Sequence, residues 1–244
     1  MLSIIIPTLN EENYLPILLE LIKKQNFTDY EIIIADAGSK DKTIEMARNY
    51  NCKVIPGGLP AKGRNNGAEI AKGNLLLFLD ADVVLPKDFF RKTLDEFKKR
   101  ELKIAGFSLL PQGRNKFFHL LFNVFYNFPV RLMEKVLAHG AMGILIEKQL
   151  FEKLNGFDES IKLAEDHDLT RRAKKIAKFG ILRSSKIFVS DRRFRKDGWL
   201  KTYFKFLLCE LHMVFIGPVK SDIFKYKFGH YSQDKKKEYN KNDK

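Results

Sequence analysis

Short apolar runs alternate along the chain with longer segments in which apolar residues recur at helical spacing. The early runs are rich in Ile, Leu and Phe and are closed by Pro or Asp, which is typical of buried strands. Strands are predicted at residues 2–6, 31–36, 53–55, 75–79, 104–110, within 138–146 and at 186–189, with helices from about 14, at 44–51, at 62–72 and at 87–100. This alternation indicates βαβ units, so we predict an α/β fold with a mostly parallel central sheet flanked by helices.

The apolar run at 75–79 ends in two carboxylates one residue apart, Asp80 and Asp82. Ligands of open α/β sheets bind beyond the carboxyl ends of the strands, and side chains two residues apart in extended backbone point the same way. Paired carboxylates suit a hard divalent cation that substrate phosphates help to hold. Asp36 follows another predicted strand and is expected at the same edge of the sheet. Solvated turn aspartates are the alternative.

The 244 residues are 45% hydrophobic and 30% charged, which is ordinary for a globular protein. The formal net charge of +14 predicts an anionic partner, whether nucleic acid, a phosphate-bearing substrate or an anionic membrane surface. Two distant cysteines favour reduced thiols in an intracellular protein, and the first residues do not predict a signal peptide. No Gly-x-Gly-x-x-Gly follows the early strands and no P-loop motif occurs, which argues against dinucleotide dehydrogenases and P-loop enzymes.

Four motifs follow one another in the first half of the chain. They are Ile-Ile-Ile-Pro-Thr-Leu-Asn-Glu-Glu at 4–12, Asp-Ala-Gly-Ser at 36–39 before Asp-Lys-Thr at 41–43, Arg-Asn-Asn-Gly-Ala at 64–68 and Phe-Leu-Asp-Ala-Asp at 78–82. Together they resemble the signatures of family 2 glycosyltransferases with the GT-A fold. The resemblance continues through Gly-Phe-Asp at 156–158, Glu-Asp at 165–166 and Arg-Arg at 192–193. It implies a GT-A domain at 1–198, with a Rossmann-like nucleotide-sugar-binding half at 1–115 and an acceptor-binding half at 116–198.

The resemblance implies a nucleotide-sugar donor, UDP- or GDP-linked, with Mg²⁺ or Mn²⁺ on its diphosphate. In the family, the opening loop and the acid after the second strand hold the base, so Asp36 would accept from a ring N–H of uracil or guanine. The first acid of the Asp-x-Asp pair meets the ribose and the second meets the metal. The expected donor-binding residues are Pro7, Thr8, Glu11, Asp36, Arg64, Asp80, Arg192 and Arg193, and the expected metal ligands are Asp82 and Asp80. Taken alone, Glu11 also fits a first helical turn, and Arg64 fits a solvated helix face.

A second acidic segment at 165–168 contains Asp166, which matches the family's catalytic base. The base would take a proton from the acceptor hydroxyl, whose oxygen would attack the anomeric carbon and invert its configuration. The same acids also suit a helix N-terminus, whatever the function. A loop near 138–143 adjoins the acceptor in the family, and its small residues would let the backbone approach a ligand. The expected acceptor-side residues are Gly140, Met142, Gly143 and Glu165.

A basic segment follows the strand predicted at 186–189. Guanidinium groups match phosphate oxygens bidentately, so Arg192 and Arg193 are expected to hold the donor diphosphate, with a solvated basic loop as the alternative. The segment lacks the Gln-x-x-Arg-Trp form of processive members, which favours a transferase that adds a single sugar. Asp168 and His167 are candidate neighbours of the metal or the diphosphate, and a structural role is the expectation for His167.

Two apolar segments, 116–137 and 199–219, carry narrow polar stripes at helical spacing. This pattern predicts deep burial or a position in a membrane interface. Neither segment reads as a spanning helix, and Pro129 should break or kink the first. We predict amphipathic helices at 199–231 and contact of both segments with anionic lipid, with completion of the core or a dimer interface as the alternative. Residues 232–244 are predicted to be a disordered basic tail.

Together these inferences predict an inverting, metal-dependent glycosyltransferase, peripheral on the cytoplasmic face of the cell membrane. The expected acceptor is a hydroxyl or phosphate group of a lipid-linked molecule. A sugar nucleotidyltransferase is the nearest enzymatic alternative, but its glycine-rich opening is absent after residue 6. A basic nucleic-acid-binding protein would need exposed aromatic residues interleaved with Lys and Arg. Most aromatic residues here lie in the apolar helical segments, so no nucleic-acid partner is expected.

Overall fold

The computed structural model describes residues 1–113, 116–136, 138–190, 192 and 198–224. The strands of these residues are β1 Leu2–Thr8, β2 Tyr30–Asp36, β3 Lys53–Pro56, β4 Leu75–Leu79, β5 Ile104–Pro111, β6 Gly143–Glu147 and β7 Phe179–Val189. They form one sheet in the order β3, β2, β1, β4, β6, β5, β7. Within this described sheet only β6 is antiparallel to its neighbours. The predicted α/β class with a mostly parallel sheet is confirmed.

Helices connect and flank the strands. In the described residues they are α1 Leu15–Lys23, α2 Thr43–Asn49, α3 Pro60–Ile70, α4 Phe89–Lys99, α5 Lys116–Phe122, α6 Phe128–Leu132, α7 Lys148–Lys153, α8 Glu165–Lys174 and α9 Trp199–Phe215. A π-helical turn, Asn123–Asn127, joins α5 to α6. The helices predicted in the first hundred residues are all present, whereas α7 was not predicted.

Both faces of the central strands are buried. Ile4 and Ile6 pack in one core cluster with side chains of α1, α2 and α4. Ile5, between them, packs in a second cluster with side chains of α3, α7 and α8. Because side chains alternate along a strand, burial on both faces favours a continuous apolar run, which β4 has throughout and β1 has at residues 4–6.

The antiparallel strand β6 determines which loop lies beside the end of β4. Gly143 pairs with Leu79, the last residue of β4, so residues 138–142 reach the carboxyl edge of the sheet. There the backbone N–H of Asp80 donates to the carbonyl of Met142 over 3.4 Å. The loop predicted to adjoin the acceptor therefore lies next to the first acid of the Asp-x-Asp pair.

The segment predicted to break at Pro129 is helical, but its winding changes before the proline. Pro129 has no N–H and its ring crowds the preceding helical turn. The π-helical turn Asn123–Asn127 lies immediately N-terminal to α6, which contains Pro129 in its first turn. A wider turn is one of the usual ways in which a helix accommodates such a residue.

Strand β7 is longer than the strand predicted at 186–189. Its pairing with β5 shifts register between Phe107, opposite Leu182, and Ser108, opposite Lys186. Residues 183–185 therefore bulge out of the ladder, and their polar Arg-Ser-Ser sequence hid the first half of the strand.

An exposed apolar surface covers parts of the two segments predicted to meet lipid. Its members are Leu120, Val124, Phe125, Phe128, Leu132, Met133, Val136, Leu207, Leu208, Leu211, Phe215 and Ile216. These side chains do not complete the core of the described structure. Among the described residues, no helix combines the length and apolar character needed to cross a bilayer.

Candidate active site

Several predicted site residues lie at one edge of the sheet, where neighbouring strands end. Thr8 and Asp36 are paired across β1 and β2, and the Thr8 hydroxyl donates to Oδ2 of Asp36 over 2.9 Å. Pro7 precedes Thr8 in β1, and Asp80 directly follows β4 on the other side of β1. The structure thus brings these four residues together.

Asp36 is buried and its carboxylate is already fully engaged. Oδ1 accepts from the backbone N–H groups of Gly38 and Ser39 over 2.9 and 2.8 Å. Oδ2 accepts from the Thr8 and Ser39 hydroxyls over 2.9 and 2.6 Å. Since a carboxylate has about four lone-pair sites, a base N–H would have to displace one of these donors. In this structure Asp36 shapes the loop after β2, and its contact with a base stays a prediction.

The loop after β1 is held against the loop after β2. The backbone N–H of Asn10 donates to Oγ of Ser39, and that of Glu11 donates to Oγ1 of Thr43, each over 2.8 Å. These bonds fix the backbone of Glu11, so its side chain is positioned by the fold.

Arg192 joins two predicted acids, Asp82 and Glu11. Its NH2 atom lies 3.0 Å from Oδ2 of Asp82 and 3.0 Å from Oε1 of Glu11, and its guanidinium lies 4.3 Å from the ring centre of Tyr14. Burial raises the pKa of Glu11 to about 7, against the charge of Arg192, and the charge of Asp82 adds to the rise. Burial also raises the pKa of Asp82. The two acids therefore depend on one guanidinium for compensation of their charge.

Strand β7 delivers Arg192 to this position. Val84 and Phe188 exchange backbone hydrogen bonds of 2.8 and 3.0 Å, so the chain after β4 is paired with the end of β7. The side-chain amide of Gln112 donates to the carbonyl of Asp82 over 3.1 Å. Arg193 lies outside the described residues, and its role stays a prediction.

Arg64 of α3 pairs with two acids from different halves of the chain. Its NH2 atom lies 2.7 Å from Oδ1 of Asp80, its NH1 atom contacts Oε1 of Glu165, and the side chain lies 5.4 Å from the ring centre of Phe157. Burial lowers the pKa of Arg64, but the charges of Asp80 and Glu165 outweigh this effect and raise it. Arg64 is only 6% exposed, so the alternative of a solvated helix residue is wrong.

The neighbouring Asn65 explains the Gly-Phe-Asp motif at 156–158. Its side-chain amide donates to the carbonyl of Phe157 over 3.0 Å and accepts from the N–H of Phe157 over 2.9 Å. This paired contact fixes the loop before α8 on α3, which keeps the aromatic ring beside Arg64.

Asp166 lies in the first turn of α8, together with Glu165 and Asp168. Burial raises the pKa of Asp166 to about 6, and the charges of Glu165 and Asp80 add to the rise although His167 opposes it. A carboxylate with a raised pKa is a stronger base at neutral pH. The helix-terminus interpretation is also correct, and it does not exclude a role as base.

The predicted acceptor-side glycines are packed against protein. A Cβ atom at Gly140 would lie 2.6 Å from Cγ2 of Thr170, and one at Gly143 would lie 2.6 Å from Cδ1 of Ile187. Packing within the protein, and not approach to a ligand, therefore requires their small size. Met142, which lies between them, has a left-handed backbone with φ of 57°. An acceptor role for this loop stays a prediction.

Sequence reasoning missed a cluster beside Asp166. It contains His139 before β6, His167 of α8 and Glu210 of α9, and both histidines contact Oε1 of Glu210. Glu210 carried a signal, because it is the one carboxylate in the apolar segment 199–219 and buried acids require partners. No pattern in the sequence pointed to His139 or to Tyr14 beneath Arg192.

The acids at the end of β4 fit a hard divalent cation such as Mg²⁺ or Mn²⁺. Asp80, Asp82 and Glu11 offer carboxylate oxygens, which are the ligands that these ions prefer. Each carboxylate is now held by an arginine, and burial and mutual repulsion raise the pKa values of Glu11 and Asp82. A cation would supply the positive charge that this cluster needs.

Residues 3–143 match the model of a family described as glycosyl transferase family 2. An uncharacterized glycosyltransferase of Bacillus subtilis, EpsJ, is 29% identical over 185 residues, which are 68% of this chain and 54% of that protein. An uncharacterized glycosyltransferase of Haemophilus influenzae is 29% identical over 189 residues, which are 69% of this chain and 60% of that protein. The chain thus spans little more than half the length of these curated relatives.

Solved structures share the fold. TarS 1–349 of S. aureus in complex with UDP has a TM-score of 0.62 and 21% identity, over 88% of this chain and 72% of that one. The mannosyltransferase PcManGT of Pyrobaculum calidifontis in complex with GDP-Man and Mn²⁺ has a TM-score of 0.64 and 18% identity, over 85% of this chain and 64% of that one. These likenesses confirm the predicted GT-A fold.

The family match extends over more than half of the chain. It contains the loop with Glu11, the acid after β2, the buried arginine of α3 and both aspartates after β4. The chain belongs to glycosyl transferase family 2.

Proposed function

We propose that this chain transfers a sugar from a nucleotide-diphosphate donor to an acceptor hydroxyl or phosphate, with inversion at the anomeric carbon. The main support for the proposal is the contact that Arg64 makes between the two halves of the chain. Arg64 pairs with Asp80 at the end of β4 and with Glu165 at the start of α8, beside Asp166. A donor held at the end of β4 would therefore lie next to a carboxylate suited to act as base.

The proposed donor is a UDP- or GDP-linked sugar. The S. aureus protein was solved with UDP and with UDP-GlcNAc, and the P. calidifontis mannosyltransferase with GDP-Man and Mn²⁺. The base would lie against Pro7, Thr8, Glu11 and Asp36. Asp36 would exchange one of its present hydrogen-bond donors for a ring N–H of the base.

Asp82 and Asp80 are proposed to hold Mg²⁺ or Mn²⁺, which when bound would neutralise charge on the departing diphosphate. Arg192 now occupies the oxygen of Asp82 that a cation would take. Once displaced, its guanidinium is suited to bind phosphate oxygens bidentately, with Arg193 next to it in the chain. Arg64 keeps its two acid partners and holds the halves of the site together.

Asp166 is the proposed base. It would take the proton of an acceptor hydroxyl while the oxygen attacks the anomeric carbon from the face opposite the departing diphosphate. Gly140, Met142, Gly143 and Glu165 are proposed to border the acceptor. The reaction is proposed to add a single sugar.

The acceptor is proposed to be lipid-linked, and the chain to bind the inner face of the cell membrane peripherally. The exposed apolar surface supports this, since Phe125 is 61% exposed and Leu132 is 71% exposed. The formal net charge of +14 is complementary to an anionic lipid surface.

The test is a thermal-shift panel of UDP-, GDP- and dTDP-sugars with Mg²⁺ or Mn²⁺, followed by turnover with the donor that binds. We expect one donor to stabilise the protein in a metal-dependent manner. Asp82→Asn should lose the metal-dependent part, whereas Asp166→Asn should keep binding and lose roughly 100- to 10,000-fold in transfer. Asp95→Asn, on an exposed position of α4, is the control.

Three results would contradict the proposal. Equal turnover in Asp166→Asn would remove this residue from the base role. Release of pyrophosphate from a nucleoside triphosphate and a sugar phosphate would favour a nucleotidyltransferase. Salt-dependent binding of DNA or RNA without turnover of any donor would favour a nucleic-acid-binding protein.

A further inference from the structure

Two histidines and a glutamate from three separate elements meet beside Asp166. His139 precedes β6, His167 lies in the first turn of α8, and Glu210 lies on α9. One ligand atom from each can be chosen so that all three lie within 4.8 Å of one another. The two imidazole rings pack edge to face with their centres 4.1 Å apart. The proposed transfer reaction uses none of these three side chains.

Both imidazoles direct the same nitrogen at the same oxygen. Nδ1 of His139 lies 3.6 Å from Oε1 of Glu210, and Nδ1 of His167 contacts that oxygen too. Nδ1 of His167 is buried, because the residue is only 9% exposed, and its partner is this oxygen. One carboxylate oxygen thus faces two ring nitrogens that come from different elements. A cation would be held by the same three atoms that now face one another.

Two of the three side chains also have a hydrogen-bond partner on the atom that points away from the cluster. The Tyr126 hydroxyl lies 2.7 Å from Nε2 of His139, and Arg171 lies 2.9 Å from Oε2 of Glu210. The Asp166 carboxylate faces Nε2 of His167 from 3.8 Å, beyond hydrogen-bond distance. Outer partners of this kind orient the ligands of metal centres and fix the histidine tautomer. The cluster therefore has both the inner and the outer groups of a metal site.

We propose that His139, His167 and Glu210 bind a divalent cation, and that Zn²⁺ is the ion this donor set favours. Two imidazole nitrogens and one carboxylate oxygen form a known zinc ligand set with an open fourth position. Mg²⁺ and Mn²⁺ prefer oxygen ligands, such as those at Asp82. The ion fastens α9 to the start of α8 and to the loop before β6. This assignment does not depend on the proposed transfer reaction.

The test is metal binding by the chain after its metals are removed with a chelator. Zn²⁺ has no visible spectrum, so Co²⁺ is used as the probe, because its d–d absorption reports tetrahedral coordination by nitrogen and oxygen. We expect one equivalent of Co²⁺ to bind with this absorption and Zn²⁺ to displace it. His139→Gln, His167→Gln and Glu210→Gln should each abolish the absorption. Tyr126→Phe should weaken binding by roughly 10- to 100-fold, the usual effect of losing an outer partner.

Two variants serve as controls, and circular dichroism establishes that every metal-free variant is folded. His212→Gln changes a histidine of the same helix whose ring contacts the carbonyl of Gly217, outside the cluster. Asp82→Asn changes the proposed donor site. Both should keep the Co²⁺ absorption of the wild-type chain.

The proposal is overturned if the metal-free wild-type chain binds neither Co²⁺ nor Zn²⁺, because the cluster is then only an ion pair between an imidazolium and Glu210. It is also overturned if the absorption survives the three ligand variants or disappears in Asp82→Asn. Should the ligand variants fail to fold, the wild-type chain decides alone. Zn²⁺ must then shift the Nδ1 resonances of two of its five histidines in a ¹H–¹⁵N spectrum, and unshifted resonances overturn the proposal.

Discussion

At the scale of single residues, the candidate site consists of acids whose charge is compensated by arginines. Arg64 pairs with Asp80 and Glu165, and Arg192 pairs with Asp82 and Glu11. Buried charges are tolerated only with partners, so each arginine determines what its two acids can bind. The two arginines differ in one respect. Arg64 spans two elements and holds them together, whereas Arg192 lies beyond the end of β7, where a cation would displace it.

The position of Arg192 predicts competition with metal. Arg192→Ala removes the guanidinium from Oδ2 of Asp82, so we expect Mn²⁺ to bind more tightly in the absence of donor. The expected gain is roughly tenfold, which corresponds to about 1.4 kcal/mol. The measurement is calorimetric titration of the Mn²⁺ binding that Asp82→Asn abolishes.

Arg183→Ala provides the control, because Arg183 pairs with Glu134 away from this site. Its Mn²⁺ affinity should equal that of the wild-type chain. Unchanged or weaker Mn²⁺ binding in Arg192→Ala would show that the guanidinium and the cation do not compete for Asp82.

Glu96 of α4 predicts a pH dependence of stability. Its Oε2 atom accepts from the N–H groups of Arg183 and Ser184 in the bulge of β7, over 2.9 and 2.7 Å, and Oε1 accepts from Arg100 over 2.8 Å. Burial raises the pKa of Glu96, but the hydrogen bonds from Ser184, Arg100 and Arg183 outweigh it and lower the pKa below the usual 4.5. The carboxylate thus stabilises the folded state fully at pH values above 4.5, the usual pKa. This stabilisation is lost as the pH falls through the lowered pKa of the folded state.

Glu96→Gln should therefore lower the free energy of unfolding by about 1.5–3 kcal/mol at pH 7, the range for hydrogen bonds to a charged group. The difference from the wild-type chain should shrink in acid, as both side chains become neutral. Urea unfolding at several pH values measures this. Asp95→Asn, exposed on the same helix, should behave as the wild-type chain does, and a pH-independent effect of Glu96→Gln would contradict the argument.

The sequence indicated the acids and arginines of the candidate site but not which of them pair. Asp80 and Asp82 were identifiable because the pattern of an apolar strand ends at them. Their partners, Arg64 and Arg192, lie 16 and 110 positions away. The same arginines also pair with Glu165 and Glu11, which lie 101 and 181 positions from them. Local pattern carries no information on such pairings, which depend on how the strands are ordered in the sheet.

At the scale of elements, periodicity predicted most helices and strands, and it failed where backbone pairing decides the structure. The reversed direction of β6 and the bulge in β7 follow from hydrogen bonding across the sheet, which composition does not reveal. The π-helical turn before Pro129 is a local adjustment that helical spacing does not specify. Close packing between elements has a clearer sequence signal, in the small residues of α3.

Gly67 provides a test of this close packing. A Cβ atom there would collide with Cγ2 of Ile5 in β1, a buried β-branched side chain that cannot easily turn away. We expect Gly67→Ala to destabilise the chain, because overpacking costs about 1–3 kcal/mol and alanine returns only about 1 kcal/mol in helix propensity. Thermal and urea unfolding measure the difference.

Glu69→Ala, at an exposed position of the same helix, should stay within about 0.5 kcal/mol of the wild-type chain. In an Ile5→Ala background the collision is absent, so Gly67→Ala should be neutral or stabilising there. Additive effects of the two substitutions would mean that the side chain at position 5 does not limit the approach of α3 to β1.

At the scale of the whole molecule, the net positive charge and the exposed apolar surface favour the same kind of partner, an anionic membrane surface. The π-helical turn and α9 both approach His139, through Tyr126 at 2.7 Å and Glu210 at 3.6 Å. The two segments that carry the exposed apolar side chains are therefore both linked to His139, in the loop beside the proposed acceptor side. The sequence identified both segments but not their common link to His139. Exposed apolar side chains in such numbers indicate a surface that binds a partner or a membrane.

We expect this surface to bind anionic vesicles. The chain should float with vesicles that contain acidic phospholipid at low salt and remain with the soluble fraction as salt screens its positive charge. Phe125→Ser combined with Leu132→Ser should reduce flotation, because it removes two of the most exposed apolar side chains, whereas Ile176→Ser, at a residue 52% exposed outside this surface, should not.

The competing explanation is that a second copy of the chain covers the surface, and the same variants separate the two. A dimer interface predicts that the double serine variant lowers the molecular mass in solution, measured by light scattering, and leaves flotation unchanged. A lipid surface predicts the reverse, because apolar side chains inserted at a bilayer interface contribute through buried area without any protein partner. Salt also distinguishes the two explanations. Screening weakens the attraction of the positively charged chain to acidic lipid, whereas it weakens the repulsion between two copies of the chain.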